Sequence, residues 1–428
     1  MADTVRLDPL NSPIEDVDTF DAGFLQDPYP FYARTRAEAP VYRDPKSGVV
    51  MVATYDLIRE VNAKPRVFSN KFGERLRAGG INAPDAEEVA IMSEGWKTVD
   101  TMLTADPPEH TRYRKLAMKA FTYKRVLQMT EYVDDLVHDL VDAMPDSGCE
   151  LKSAFASKLP MYVISDALGV PRERFEAFEQ WSNSFIAQLS GVADKETRLW
   201  AARNIVDFQK YFVDVIEEKR ANPSDDVISD LVHADLAEEG DARKMTYEEL
   251  LSILQQLLVA GNETTAHTIT AGINYLLQFP EQLEKFKADP TLTENLVEEA
   301  LRYLTPTNNM WRVATEDAEI GGVTVKKGDL VLLRYGSGNR DGDKFDDPDA
   351  FNITRENAKD HLAFGAGIHT CLGAQLARKE MVSAFPILIE RLQNLRLDRS
   401  KGELVYLPSI LMRGVVNLNV LYDKAPRP

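Results

Sequence analysis

Between about residue 107 and residue 280, apolar side chains recur three and four positions apart. YVDDLVHDLVDAM (132–144) and NIVDFQKYFVDVIEEK (204–219) are clear instances, and that period marks helices with one buried face. The longest such run extends from Met245 to Phe279. Thr246 with Glu249 three residues on forms a capping box at its start, and Pro280 stops it. About 33 residues at ~1.5 Å each make a helix of roughly 50 Å, long enough to cross a whole domain. Elsewhere the pattern differs. Residues 40–53 (PVYRDPKSGVVMVA) hold two β-rich runs around a Pro/Gly turn and predict a hairpin. From Ile320 short strands alternate with Gly-rich turns (IGGVTVKKGDLVLLRYG). The stretch from Asp341 to Gly367 has no period and is rich in Asp, Asn and Gly; irregular loops of that length are usually functional. A last helix over about Leu372 to Arg391 and a β-rich tail over about Leu395 to Tyr422 complete the chain.

No repeat, low-complexity tract or linker divides these elements. The reading is therefore one mainly α domain with small β-sheets over residues 1–428. It comprises a β-rich N-terminal part at about 35–70, a helical core at about 107–304, and a loop with its following helix at about 341–391. Composition adds exclusions. With 68 acidic and 50 basic residues the net charge is −18, so nucleic acid is not an expected partner, because phosphate binding needs a surplus of Lys and Arg. Two cysteines, Cys149 and Cys371, cannot make a disulfide framework and fit a reducing cytoplasm. The N-terminus shows no basic, apolar leader, and nowhere do about 18 apolar residues run uninterrupted, so no signal peptide and no membrane span are expected. A cytoplasmic location follows from that reading.

The densest chemical signal is FGAGIHTCLG at 364–373. Gly365 and Gly367 permit a tight turn whose N–H groups can face the sulfur of Cys371, and the helix that begins there favours negative charge. Gly373 leaves room for a flat macrocycle, and Phe364 can keep water from the sulfur. A lone cysteine is more often an inert small hydrophobe, which is the reading for Cys149. Zinc would need further soft ligands, and none stands nearby in sequence. The F-G-x-G-x-H-x-C-x-G pattern resembles the cysteine-ligand loop of the cytochrome P-450 family, and the resemblance runs from DPYPFYARTRAEAP near the start to the tail. It implies the cytochrome P-450 fold, a triangular helical prism with haem between the long central helix and the cysteine-ligand loop. It further implies haem b (iron protoporphyrin IX) as cofactor and Cys371 as the metal ligand.

Other segments gain meaning beside that loop. Glu299 and Arg302, three apart on one helix face, with Arg355 in the following loop, match the family's buried charge network. A surface ion pair would be the plain alternative. LLVAGNETT (257–265) places Ala260 and Gly261 beside Glu263 and Thr264. Two small residues alone would suit a helix crossing, but an acid and a threonine beside them would not. Thr264 can hydrogen-bond dioxygen, a local distortion at Gly261 can admit water, and Glu263 can relay protons. The segment resembles the family's oxygen-activation motif. His110 and Arg114, four apart, match the family's propionate-binding pair, with Arg312 and His369 as further propionate ligands. His361 reads as a loop cap; His138, His233 and His267 read as ordinary helix surface. Bulky Met310 and Trp311 are expected to narrow a substrate pocket formed by Gly73–Met102, Leu257–Glu263, Asn308–Trp311 and Ser409–Met412.

The implied activity is insertion of one oxygen atom of O₂ into a hydrophobic small molecule. Electrons would come from NAD(P)H through a separate ferredoxin and reductase, since no second Cys cluster is present. A peroxygenase or isomerase would dispense with Glu263 and Thr264, and a haem sensor would need an output module. Residues 107–125 carry Arg112, Arg114, Lys115, Lys119, Lys124 and Arg125 against the single acid Glu109. With Arg378 and Lys379 they predict a basic docking patch for an acidic ferredoxin.

Overall fold

A computed structural model describes residues 8–78, 84–120, 132–189, 193–234 and 243–428. The central helix runs over Tyr247–Gln278, within two residues of the expected bounds. Its capping box is present: Thr246 Oγ1 accepts from the Glu249 amide at 3.3 Å, and Glu249 Oε2 accepts from the Thr246 amide at 2.8 Å. Glu249 also accepts from Tyr113 Oη at 2.6 Å, which ties the helix Glu109–Ala120 to the start of the central one. Burial works to raise this carboxyl, but Arg243, Tyr113 and the Thr246 amide prevail and hold it at about 2. Pro280 both ends the central helix and opens the next, Pro280–Ala288, where its missing N–H costs nothing.

The core packs the central helix against the helices Lys158–Ala167, Phe175–Leu189 and Ala374–Arg391 (the proximal helix). Gly272 makes the last contact possible, since a Cβ there would stand 2.5 Å from Cζ of Phe385. Phe178 with Phe212, and Trp181 and Phe185 with Phe208, meet edge to face between Phe175–Leu189 and Lys195–Ala221, a geometry aromatic rings prefer. Lys195–Ala221 also carries a rim: the short helix Ala86–Met92 is fastened to it by ion pairs. Lys195 Nζ lies 3.3 Å from Asp85 Oδ2 and 3.2 Å from Glu87 Oε2, and Arg198 Nε lies 3.4 Å from Glu88 Oε2.

A five-stranded sheet flanks this body in the order Val41–Arg43, Val50–Val52, Leu330–Leu333, Met310–Ala314, Phe68–Ser69. All neighbours pair antiparallel except Val50–Val52 with Leu330–Leu333. The hairpin expected at 40–53 is thus its first two strands. The tail forms a second sheet in which Asn419–Lys424 lies between Cys149–Glu150 and Leu392–Leu397. Among the described residues no helix is long and apolar enough to cross a membrane.

The stretch from 341 to 367 is irregular, and side chains hold it. Glu299 and Arg302 are fully buried, and Arg302 meets both oxygens of Glu299 at 2.7 Å. Arg355 Nε reaches Glu299 Oε2 at 3.1 Å, and the Asn352 amide reaches Oε1 at 2.8 Å. Arg302 then donates to the carbonyls of Asn339, Pro348 and Ala350, and Arg355 to those of Asp346, Asp347 and Ala350. Backbone groups that would sit in a sheet or helix elsewhere are satisfied here by two guanidinium forks.

Candidate active site

The loop holding Cys371 is shaped by two glycines in the left-handed region, Gly365 (φ +69°) and Gly367 (φ +73°). Gly367 has a second constraint, because a Cβ would come within 2.6 Å of the Asn62 carbonyl. The Cys371 amide donates to the Phe364 carbonyl at 2.9 Å, and Thr370 Oγ1 to that of Gly367 at 2.8 Å. Arg114, from the helix Glu109–Ala120, donates to the Thr370 carbonyl, so that helix grips the residue next to the sulfur. The proximal helix starts at Ala374 with Gly373 as its cap. Solvent reaches Cys371, yet protein surrounds it closely enough that burial pushes its thiol above the usual range. The Gly373 amide, Arg114 and Arg378 pull the other way. A Cβ added to Gly373 would meet nothing within 4 Å.

Four side chains gather beside this loop. His110 and His369 stack with ring centroids 4.2 Å apart. Arg312 is buried, with Nη1 on the Trp311 carbonyl at 2.7 Å and Nη2 on Asn62 Oδ1 at 2.6 Å. Burial, then His110, Arg312 and Arg114, push the His369 imidazole down to about 3. None of the four forms an ion pair with a carboxylate among the described residues, and Nε2 of both histidines is buried without a partner. Positive charge and orphaned donors concentrated in this way call for an anion. One thiol, a cation cluster and open space above Gly373 fit a thiolate-ligated haem with two propionates. Among the described residues no group of three or more His, Cys, Asp or Glu could hold a metal ion by itself.

The central helix brings a different set. Thr264 Oγ1 donates to the Ala260 carbonyl at 2.9 Å. Glu263 is buried, with Lys152 Nζ 3.8 Å away and His267 Nε2 3.3 Å away. The helix is continuous through Gly261, whose nearest neighbour is Ile164, so the local distortion expected there is not seen. Ser252 and Gln256 pin the preceding segment by bonding Thr101 Oγ1 at 2.8 and 2.6 Å. The pocket segments 308–311 and 409–412 meet where the Asn308 amide donates to the Leu411 carbonyl at 2.7 Å.

Two expectations need correction. His267 is not helix surface but fully buried. Its four-residue spacing from Glu263 was the available signal. His233 is exposed and bonds its own helix at the Ser229 carbonyl, whereas half-buried His138 faces Arg391 at 3.2 Å. Trp311 is buried in a satellite core with Phe72, Leu76, Ile410 and Leu411. Arg378 is not a free basic group. It forks onto Glu298 at 2.6 and 3.0 Å and lies 4.6 Å over the Phe364 ring, while Lys379 faces Asp134 at 3.7 Å. Lys124 and Arg125 lie outside the described residues. Sequence reading missed Asn62, Tyr335 and Glu298. The first two brace Arg312; the third joins Arg378 to His361, whose Nε2 is 3.1 Å away and whose Nδ1 accepts from the Ala363 amide.

Set against known proteins, residues 175–417 match the family model Cytochrome P450. The cytochrome P450 monooxygenase PikC of Streptomyces venezuelae is 38% identical over 96% of this chain and 95% of its own length. A steroid C26-monooxygenase of Mycobacterium tuberculosis is 32% identical, covering 96% and 98%. The structure of CYP109Q5 from Chondromyces apiculatus superposes with a TM-score of 0.83 at 33% identity, covering 96% of this chain and 99% of that one. The chain belongs to the cytochrome P450 family and is a monooxygenase, an oxidoreductase that uses haem, O₂ and a small-molecule substrate.

Proposed function

We propose that this chain binds haem b on Cys371 and inserts one oxygen atom of O₂ into a hydrophobic small molecule, the other leaving as water. NAD(P)H would supply electrons through a ferredoxin reductase and ferredoxin. The observation that carries the reading is the meeting of Cys371 with His110, Arg114, Arg312 and His369, none of which pairs with a carboxylate among the described residues. The propionates would lie among these four, with Phe364, Gly365, Gly373, Ala260 and Gly261 bordering the ring. Haem bound there would supply oxygen activation, and the Cys371 thiolate the electron density that favours O–O cleavage. Thr264 Oγ1 would hold a hydrogen bond over the reacting face, and Glu263 would pass protons to it from the side of Lys152. Glu299, Arg302 and Arg355 would keep the ligand loop in place. The relative named as a steroid C26-monooxygenase makes lipophilic molecules of that class the first to screen by the haem spin-state shift.

The test is the ferrous carbon monoxide spectrum. The wild-type protein is expected to show the red-shifted thiolate Soret band, and Cys371→His to keep some haem but lose that band together with oxygenase activity. A wild-type complex without the band would remove Cys371 as the ligand.

A further inference from the structure

His267 sits four residues beyond Glu263, on the same face of the central helix. Its ring is fully buried, with Nε2 3.3 Å from Glu263 Oε2 and no well-formed hydrogen bond at either nitrogen. On the other side lies Gly414, where a Cβ would stand 2.0 Å from Nδ1. The imidazole is therefore clamped between a carboxylate and a piece of backbone that only glycine can supply. An apolar side chain would fill such a place without burying two polar nitrogens. The other charges facing Glu263 are Lys152, at 3.8 Å, and Glu179 on the helix Phe175–Leu189, with Lys158 and Glu176 beyond it. The tail segment presents the backbone of Gly414.

We propose that His267 is a positioning residue for Glu263, fixing where the carboxylate rests and keeping it ionised until a proton arrives past Lys152. The inference rests on the assignment of Glu263 as the proton-delivering acid. Burial alone would favour the protonated acid, but His267 and Lys152 outweigh it and hold the carboxyl below its usual range. Burial likewise holds His267 below the usual imidazole range. Nε2 stands 3.3 Å from Oε2, so a small turn of either side chain completes the contact. A proton taken up by Glu263 weakens that contact and frees the acid to turn towards its neighbour Thr264.

The experiment titrates Glu263 directly in the ferrous carbon monoxide complex of the holoenzyme. The infrared C=O stretch of the protonated acid, identified by its loss in Glu263→Gln, is followed against pH. In His267→Leu the midpoint is expected to rise by about one unit. In His267→Gln, which keeps an N–H donor, it is expected to return most of the way. Gly414→Ala preserves the imidazole but forces it off Glu263, and should move the midpoint in the same direction as the leucine variant. Equal midpoints in wild type, His267→Gln and Gly414→Ala overturn the proposal even if the leucine variant does not fold. Turnover and coupling of Glu263→Gln report separately on the acid: normal values there would remove its catalytic role while leaving the titration result standing.

Discussion

Thr264 and Glu263 are adjacent in sequence but held by different neighbours, one by the Ala260 carbonyl and the other by Lys152 and His267. Their substitutions should therefore separate. Thr264→Ala is expected to leave haem content intact and divert reducing equivalents into hydrogen peroxide, seen as a fall in product formed per NAD(P)H consumed. Glu263→Gln is expected to slow turnover on the order of 10²-fold, the low end for loss of a positioned acid–base group, with a smaller effect on peroxide release. Wild-type rate and coupling in both variants would refute the pair. Cys371 was legible because its loop is local: glycines, histidine and thiol lie within ten residues. Asn62, Tyr335 and Glu298 were not, since each acts on a partner brought close only by folding. Asn62 stands 250 residues from Arg312. His267 stands four residues from an acid, a spacing that usually marks a surface pair, and its burial is not legible from that spacing alone.

Helices and strands could be read wherever one face is buried, which is why the central helix, the hairpin at 40–53 and the tail strands emerged from pattern alone. Between 341 and 367 that logic fails, because order there comes from Glu299, Arg302 and Arg355. Arg302→Ala would leave Glu299 buried with half its compensation, at a cost of ~3–5 kcal/mol. It should lower the urea midpoint and release haem at denaturant concentrations the wild type withstands; an unchanged midpoint would mean the network is not structural. The neighbouring Glu298 adds a pH dependence. Burial tends to raise its carboxyl, but His361 and Arg378 win and hold it at about 2, against 4.5 for the free group. An acid depressed in the fold stabilises above its unfolded pKa and loses that contribution as pH falls through the folded one. Unfolding midpoints should therefore drop between about pH 4.5 and 2, by the equivalent of about 3 kcal/mol. Glu298→Gln should flatten part of that drop. If its pH profile matches the wild type's, the Glu298 contacts do not contribute.

Across the whole molecule, a net charge of −18 would work against the acidic ferredoxin of the proposed electron route, and the local surplus of basic residues at 107–125 would offer the place to test for one. Arg378 and Lys379 are engaged with Glu298 and Asp134. Lys119→Glu with Arg125→Glu is expected to slow ferredoxin-supported reduction at low ionic strength while substrate binding stays unchanged. Added salt should slow the wild type, since exposed charges are screened over roughly 10 Å at 0.1 M. Reduction kinetics unaltered by the double substitution would exclude this surface. The rim at 86–92 responds to the same variable. It is fastened to Lys195–Ala221 by Asp85, Glu87 and Glu88 facing Lys195 and Arg198, part-exposed pairs that are individually weak. One variable thus acts on two places at once: the salt that screens an incoming donor also slackens the hold of Lys195–Ala221 on residues 86–92.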